Sequence, residues 1–286
     1  MAKTDILKDI IAKKKDRLVL AKQSLPFEEL KQKAGEAPKP RLFIEAINKP
    51  RFISLVAEIK KQSPSHGIIR QDFNPGQIAA VYQDAGAQAV SVLTEEDFFA
   101  GCPAYISEVK ASIAGPVLRK DFILEPYQIY ESRYYGADAV LLIADLLSKD
   151  ALVELISLAD SLGMDCIVEV HNEKELKKVL GLKVVPVPGG DTGGAGSSLK
   201  SKKKAQISFC IGINTRDLHT LEMDPRITER LYPMIPKDRV VIVESGIKSY
   251  QDILFLKVLG VNAVLVGGSI LAAADMKMFI QDLMGW

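Results

Sequence analysis

From residue 53 onward, short runs rich in Val, Ile, Leu and Ala recur about eight times, each followed by a stretch with helical spacing and a glycine before the next run. The runs fall at 53–59, 89–93, 117–120, 139–143, 165–170, 207–214, 240–244 and 263–266. Their apolar residues are nearly continuous rather than alternating, as in parallel strands covered on both faces, which argues against an antiparallel sandwich. The glycines of AGAQAV, YGADAV, SLGMDC and LGVNAV stand where a helix ends, because glycine adopts positive φ without Cβ strain. Eight strand–helix units are the number that closes a barrel, so 286 residues need not mean two domains. The expected fold is α/β, a single (β/α)8 TIM barrel over residues 51–286 with an N-terminal helical extension over residues 1–50.

Two regions lie outside the repeat. In the extension, Ile6, Ile10, Ile11, Leu18 and Leu20 are expected on one face of a first helix, and FEELKQKA follows Pro26 as a second. Residues 185–206 hold a local bias to Gly, Ser and Lys without apolar periodicity, and read as an inserted flexible loop. Its GGDTGGAG stretch lacks the GK[ST] of a phosphate loop, and KSKKK reads as a solvated run.

Lys plus Arg at 37 against Asp plus Glu at 36 leaves a net charge of +1, without the basic excess of a nucleic-acid or membrane-surface protein. There is no span of about 18 apolar residues to cross a bilayer and no apolar targeting segment. Three widely spaced cysteines suggest neither a disulfide framework nor a zinc site, and fit a cytoplasmic setting. With no apolar surface stripe evident, a folded monomer is feasible.

In such a barrel the C-terminal strand ends and the loops after them form the working face. The first run delivers Glu58 and Lys60, then Ser63; the third Lys120 and Asp121; the fifth Glu169; the sixth Asn214 and Arg216; the seventh Glu244, Ser245 and Gly246; the eighth Gly267, Gly268 and Ser269. Residues two apart share a face, so Glu58 and Lys60 are expected to point inward together. Lys120 and Glu169 interrupt apolar runs, a costly placement unless the charges are paired or used. The small residues after the last two strands suit a phosphate held by backbone N–H groups. Acid and base chemistry on a small phosphorylated, sugar-like compound follows, with no cofactor required. His66, His171 and His219 lack paired-ligand spacing, which speaks against a metal; His66 and His171 read as solvated loop residues. Asp97 and Phe98 stand near the mouth without a role.

In order along the chain, VAEIKKQSPS, VLRKDFI, IVEVH, IGINTRDL, VESGI and VLVGGSIL resemble the strand-end motifs of the indole-3-glycerol phosphate synthases of tryptophan biosynthesis. The resemblance covers most of residues 53–271, and the helical extension is similar to one that lies over the barrel mouth in that family. Thr215 replaces an Asn often seen there, while Asn214 and Arg216 are kept. The resemblance implies a carboxy-lyase that closes the ring of 1-(2-carboxyphenylamino)-1-deoxyribulose 5-phosphate with loss of CO2 and water. It implies Lys120 as general acid for closure and Glu169 as base for dehydration, with a pKa raised by burial. Lys60, Lys120 and Glu58 all remain candidates to donate the second proton. Lys60 would sit between substrate carboxylate and phosphate, and Glu58 and Asn214 on the sugar hydroxyls. Ser63 and Arg216 would orient the anthranilate carboxylate, Glu244 would support the ring side, and Ser245, Gly246, Gly268 and Ser269 would cradle the phosphate. Alternatives are another phosphate-binding barrel such as phosphoribosylanthranilate isomerase, which would not account for E-x-K with S-P-S, and an inactive scaffold.

Overall fold

A computed structural model describes residues 5–184 and 209–286, so the loop expected at 185–206 lies outside the described residues. Eight parallel strands close into a barrel: β1 (Ser54–Ile59), β2 (Ala89–Leu93), β3 (Val117–Lys120), β4 (Ala139–Ile143), β5 (Asp165–Val170), β6 (Cys210–Asn214), β7 (Val241–Glu244) and β8 (Ala263–Val266). Each pairs with the next, and Ser54 of β1 opposite Ala263 of β8 closes the ring. A short antiparallel hairpin, Gln62–Ser63 with Gly67–Ile68, shapes the loop after β1.

The side-chain period of two divides the core. Leu55, Ala57, Val168, Val170, Val241 and Val243 point outward into the layer beneath the helices. Val56, Leu118, Ile167, Cys210, Ile242 and Leu265 point inward and fill the barrel. The inward phase of five strands, carried to the C-terminal end, lands on Glu58, Lys120, Glu169, Asn214 and Glu244. The outward phase of β3 lands on Arg119, which is 1% exposed. Arg119 is held by Asp121 at 2.9 Å and Glu131 at 2.8 Å.

The extension does more than cover the mouth. Its first helix, α1 (Ile6–Ser24), lies over the C-terminal end, where Leu7 and Ile10 join the interior cluster. Its third, α3 (Phe43–Ile47), inserts Phe43 and Ile47 into that cluster from the opposite end. There the Ile44 N–H donates at 2.9 Å to the carboxylate of Asp165, the first residue of β5. The buried face of α1 is Leu7, Ile10, Lys14 and Leu18; Leu20, expected on it, is exposed. Lys14 replaces it because its ammonium meets two carboxylates, Glu96 and Asp121, each at 2.8 Å. Replacing Lys14 by Met should lower unfolding free energy by about 3 kcal/mol, since a buried partner loses its counter-charge. Urea denaturation monitored by circular dichroism would measure it, and unchanged stability would place the anchoring of α1 elsewhere.

One surface feature differs from the sequence reading. The helix after β7, Tyr250–Leu259, leaves Tyr250, Leu254, Phe255 and Val258 exposed as an outward apolar face.

Candidate active site

The inward strand ends converge on one cavity of about 650 Å³, and every site residue singled out from the sequence lines it. At its floor the Lys120 ammonium lies between two carboxylates, 2.5 Å from Glu244 Oε2 and 3.1 Å from Glu169 Oε2. Asn214 Nδ2 donates to Glu169 Oε1 at 3.2 Å. Across the barrel, Lys60 pairs with Glu58. Arg216 holds the loop after β6, donating to the Leu221 carbonyl at 2.9 Å. Two glycines admit the carboxylates: a Cβ on Gly267 would stand 2.5 Å from Glu58 Oε1, and one on Gly212 2.9 Å from Glu244 Oε1.

Burial opposes charge at the floor, and local partners decide each outcome. Burial favours the neutral amine at Lys120, but Glu169, Glu244 and Glu58 outweigh it and hold the ammonium above the usual lysine range. Burial would likewise raise Glu169. Lys120, His171 and Asn214 instead hold it below the usual carboxylate range, contrary to the upward shift expected from sequence. It is Glu244 that is raised, by burial and by the nearby Glu169 and Glu58, against the pull of Lys120. Sequence reasoning had no means to divide these effects between the two acids, because the division depends on which second cation each one meets.

That second cation is His171, read from sequence as solvated and found buried. Its Nε2 lies 3.0 Å from Glu169 Oε1 and its Nδ1 3.1 Å from Glu175 Oε2. His66 is exposed, as read. His219 is half-exposed and bridges Asp5 and Asp145, each at 2.9 Å.

Part of the cavity wall is apolar and was missed, because nothing in a single aromatic residue marks it as a ligand contact. Leu7 and Ile10 of α1 meet Phe99, Phe122, Leu141 and Leu218 there. Phe99 and Phe122 stand 6.2 Å apart between ring centroids. Buried Glu95 shapes the turn that presents Phe99, accepting the backbone N–H groups of Asp97, Phe98 and Phe99 at 3.0, 2.8 and 3.0 Å. It is Phe99, and not Phe98 or Asp97, that lines the cavity; Asp97 takes two hydrogen bonds from Arg17. An aromatic ring fits this wall while charged groups act on it from the floor. Among the described residues, no group of three or more His, Cys, Asp or Glu could hold a metal.

A sequence model described as indole-3-glycerol phosphate synthase matches residues 7–187 and 201–283. The chain belongs to the indole-3-glycerol phosphate synthase family. The indole-3-glycerol phosphate synthase of Acetivibrio thermocellus is 43% identical over 279 residues, covering 97% of this chain and 98% of that protein. That of Dehalococcoides mccartyi is 43% identical over 282 residues, covering 98% of this chain and 100% of the relative. Solved structures of lower identity share the barrel fold. The 3-hexulose-6-phosphate synthase of Salmonella typhimurium superposes with a TM-score of 0.57 at 14% identity, covering 82% of this chain and 97% of that one. A chain of the Pyrococcus furiosus tryptophan synthase complex gives 0.55 at 13%, covering 82% and 98%.

As an indole-3-glycerol phosphate synthase family member, the chain is a decarboxylating lyase acting on a small phosphorylated compound. The turn after β7, which lines the cavity, is strained. Ser245 has φ 68° and Gly246 φ 77°, so two successive residues are left-handed. Such strain in a non-glycine residue persists where the surroundings impose it, often at ligand sites. Ser245→Gly should raise unfolding free energy by about 1 kcal/mol by relieving it. Thermal denaturation with and without inorganic phosphate tests this; a lower melting temperature in the absence of phosphate would show that the hydroxyl, not the strain, dominates.

Proposed function

We infer that this family member converts 1-(2-carboxyphenylamino)-1-deoxyribulose 5-phosphate to indole-3-glycerol phosphate, CO2 and water. The observation that carries this is the Lys120 ammonium clasped between Glu169 and Glu244, facing an aromatic wall, with a glycine-rich turn at the far side. In this reading the anthranilate ring lies against Phe99 and Phe122. Ser63 and Arg216 orient its carboxylate, while Glu58 and Asn214 bind the sugar hydroxyls. Lys60 lies between carboxylate and phosphate, and Ser245, Gly246, Gly268 and Ser269 cradle the phosphate.

The protonation states suit the division of labour. Carbon–carbon closure puts negative charge on the ketone oxygen, and Lys120 arrives charged and donates its proton there. Loss of CO2 returns the bond electrons to the ring and restores aromaticity. Dehydration then removes the new hydroxyl as water, with a proton donated to it and the anilino nitrogen assisting its departure. The proton lost comes from the CH2 carbon beside nitrogen, forming the pyrrole double bond; taking that proton is the task of Glu169. A carboxylate held below its usual range is a weak base, yet its leading depressing charge is Lys120. Once Lys120 has given up its proton, that charge is gone and the proton affinity of Glu169 rises in time for the later step. Glu244, raised by burial, keeps Lys120 in place and takes no step of its own. The cavity is built from one chain's residues, so the reading needs no second copy, and three free cysteines fit a cytoplasmic enzyme.

The test incubates purified protein and the carboxyphenylamino substrate with a chelator present, following indole fluorescence together with released CO2. Both signals are expected in equal amounts. Substrate binding without CO2 release would overturn the reading and favour an isomerase.

A further inference from the structure

We infer that His171, held as an imidazolium between Glu169 and Glu175, is a positioning residue that keeps Glu169 ionised and selects which of its oxygens faces the substrate. The inference rests on Glu169 being the base of the reaction. His171 is 8% exposed, and each ring nitrogen stands against a carboxylate oxygen, Nε2 at 3.0 Å from Glu169 and Nδ1 at 3.1 Å from Glu175. A neutral imidazole has one N–H and one lone pair, so in this position it would turn a lone pair toward one of two anions. Two protons on the ring satisfy both. The approach to Glu169 is an ion pair whose geometry falls short of an aligned hydrogen bond.

Glu175 is fixed independently of the ring. It accepts the His171 backbone N–H at 2.8 Å and the Asn172 side-chain amide, and it lies in the first turn of the helix Glu173–Leu180, where free N–H groups favour a negative charge. The other groups facing Glu169 are Asn214 on Oε1 and Lys120 on Oε2, with Glu244 and Glu58 acting from beyond Lys120. Oε1 is therefore occupied by Asn214 and His171. Oε2 has Lys120 alone, and becomes the free acceptor when that ammonium passes its proton to the substrate. Burial disfavours the imidazolium, but the two carboxylates outweigh it and push the ring up to about 10. The charge at His171 thus stays in place while that at Lys120 comes and goes.

His171→Gln keeps an amide donor and removes the charge. The acidic limb of the pH dependence of kcat/KM is expected to move upward by about one unit or more, as befits loss of a cation near a carboxylate. The deficit should be greatest at acid pH and shrink as pH rises. A purely structural role would lower activity evenly across pH, and an unmoved limb in a folded variant overturns the inference. Should the variant not fold, nitrogen NMR of the intact protein decides: the chain has three histidines, and His171 should show two protonated nitrogens at mildly alkaline pH. A neutral ring there overturns the inference equally. Glu169→Gln, measured alongside, separates the two readings. Full activity in that variant would remove Glu169 as base, whereas an inactive Glu169→Gln with an unmoved limb in His171→Gln would remove only the role of His171.

Discussion

Lys120→Ala and Glu169→Gln should each yield a folded protein whose kcat is lower by about 100- to 10,000-fold, the usual contribution of a positioned proton-transfer group. The two losses differ in kind. Without Lys120, Glu169 and Glu244 face each other across the floor with no ammonium between them, and one of them takes up a proton rather than remain a buried, unpaired anion. In the proposed reading, that variant has lost the acid for closure and altered the base as well. Glu169→Gln keeps an acceptor for Lys120 and the shape of the site, and removes only the capacity to take a proton. Single-turnover measurements separate them: CO2 release should be slowed in Lys120→Ala, while Glu169→Gln should release CO2 and stall before indole appears. Near-wild-type kcat in either variant would sink the corresponding assignment.

How much of this was legible beforehand follows from which forces act locally. The barrel and its strand limits were readable because each strand is a short apolar run, and the period of two then carries Glu58, Lys120, Glu169, Asn214 and Glu244 to one interior end. The face of α1 was misjudged at Leu20 because hydropathy cannot register that Lys14 finds two carboxylates supplied by distant segments, at Glu96 and Asp121. His171 was read as solvated for the same reason: its burial depends on Glu175, one helical turn further on, bending back to meet it. The sign of the Glu169 shift was lost with it. In each case the missing information is a counter-charge brought in by tertiary structure, which composition and periodicity do not encode. The aromatic wall was hidden differently, since Phe99 is aimed by a turn built on Glu95 and carries no pattern of its own.

The second large effect is expected at a position with no functional group. Gly267 follows β8 in the inward phase, and Glu58 occupies the space its side chain would fill. A Cβ there would lie 2.5 Å from Glu58 Oε1, 2.8 Å from Glu58 Cβ and 3.1 Å from Glu58 Cδ. Rotation of the carboxylate alone cannot relieve a clash with its own Cβ, so Gly267→Ala must shift the end of β1 or turn Glu58 out of the cavity, taking Lys60 with it. Overpacking of this kind costs about 1–3 kcal/mol of stability, small enough to leave a folded protein. A displacement near 1 Å in positioning groups costs about 100-fold in rate. The expected result is therefore a folded variant with kcat/KM lower by about 100-fold. The double-mutant cycle tests the cause: in a Glu58→Gly background the added methyl meets neither the Cβ nor the carboxylate of residue 58, so Gly267→Ala should cost little further activity. Equal losses in both backgrounds would show that Gly267 acts through the turn that follows it rather than through Glu58.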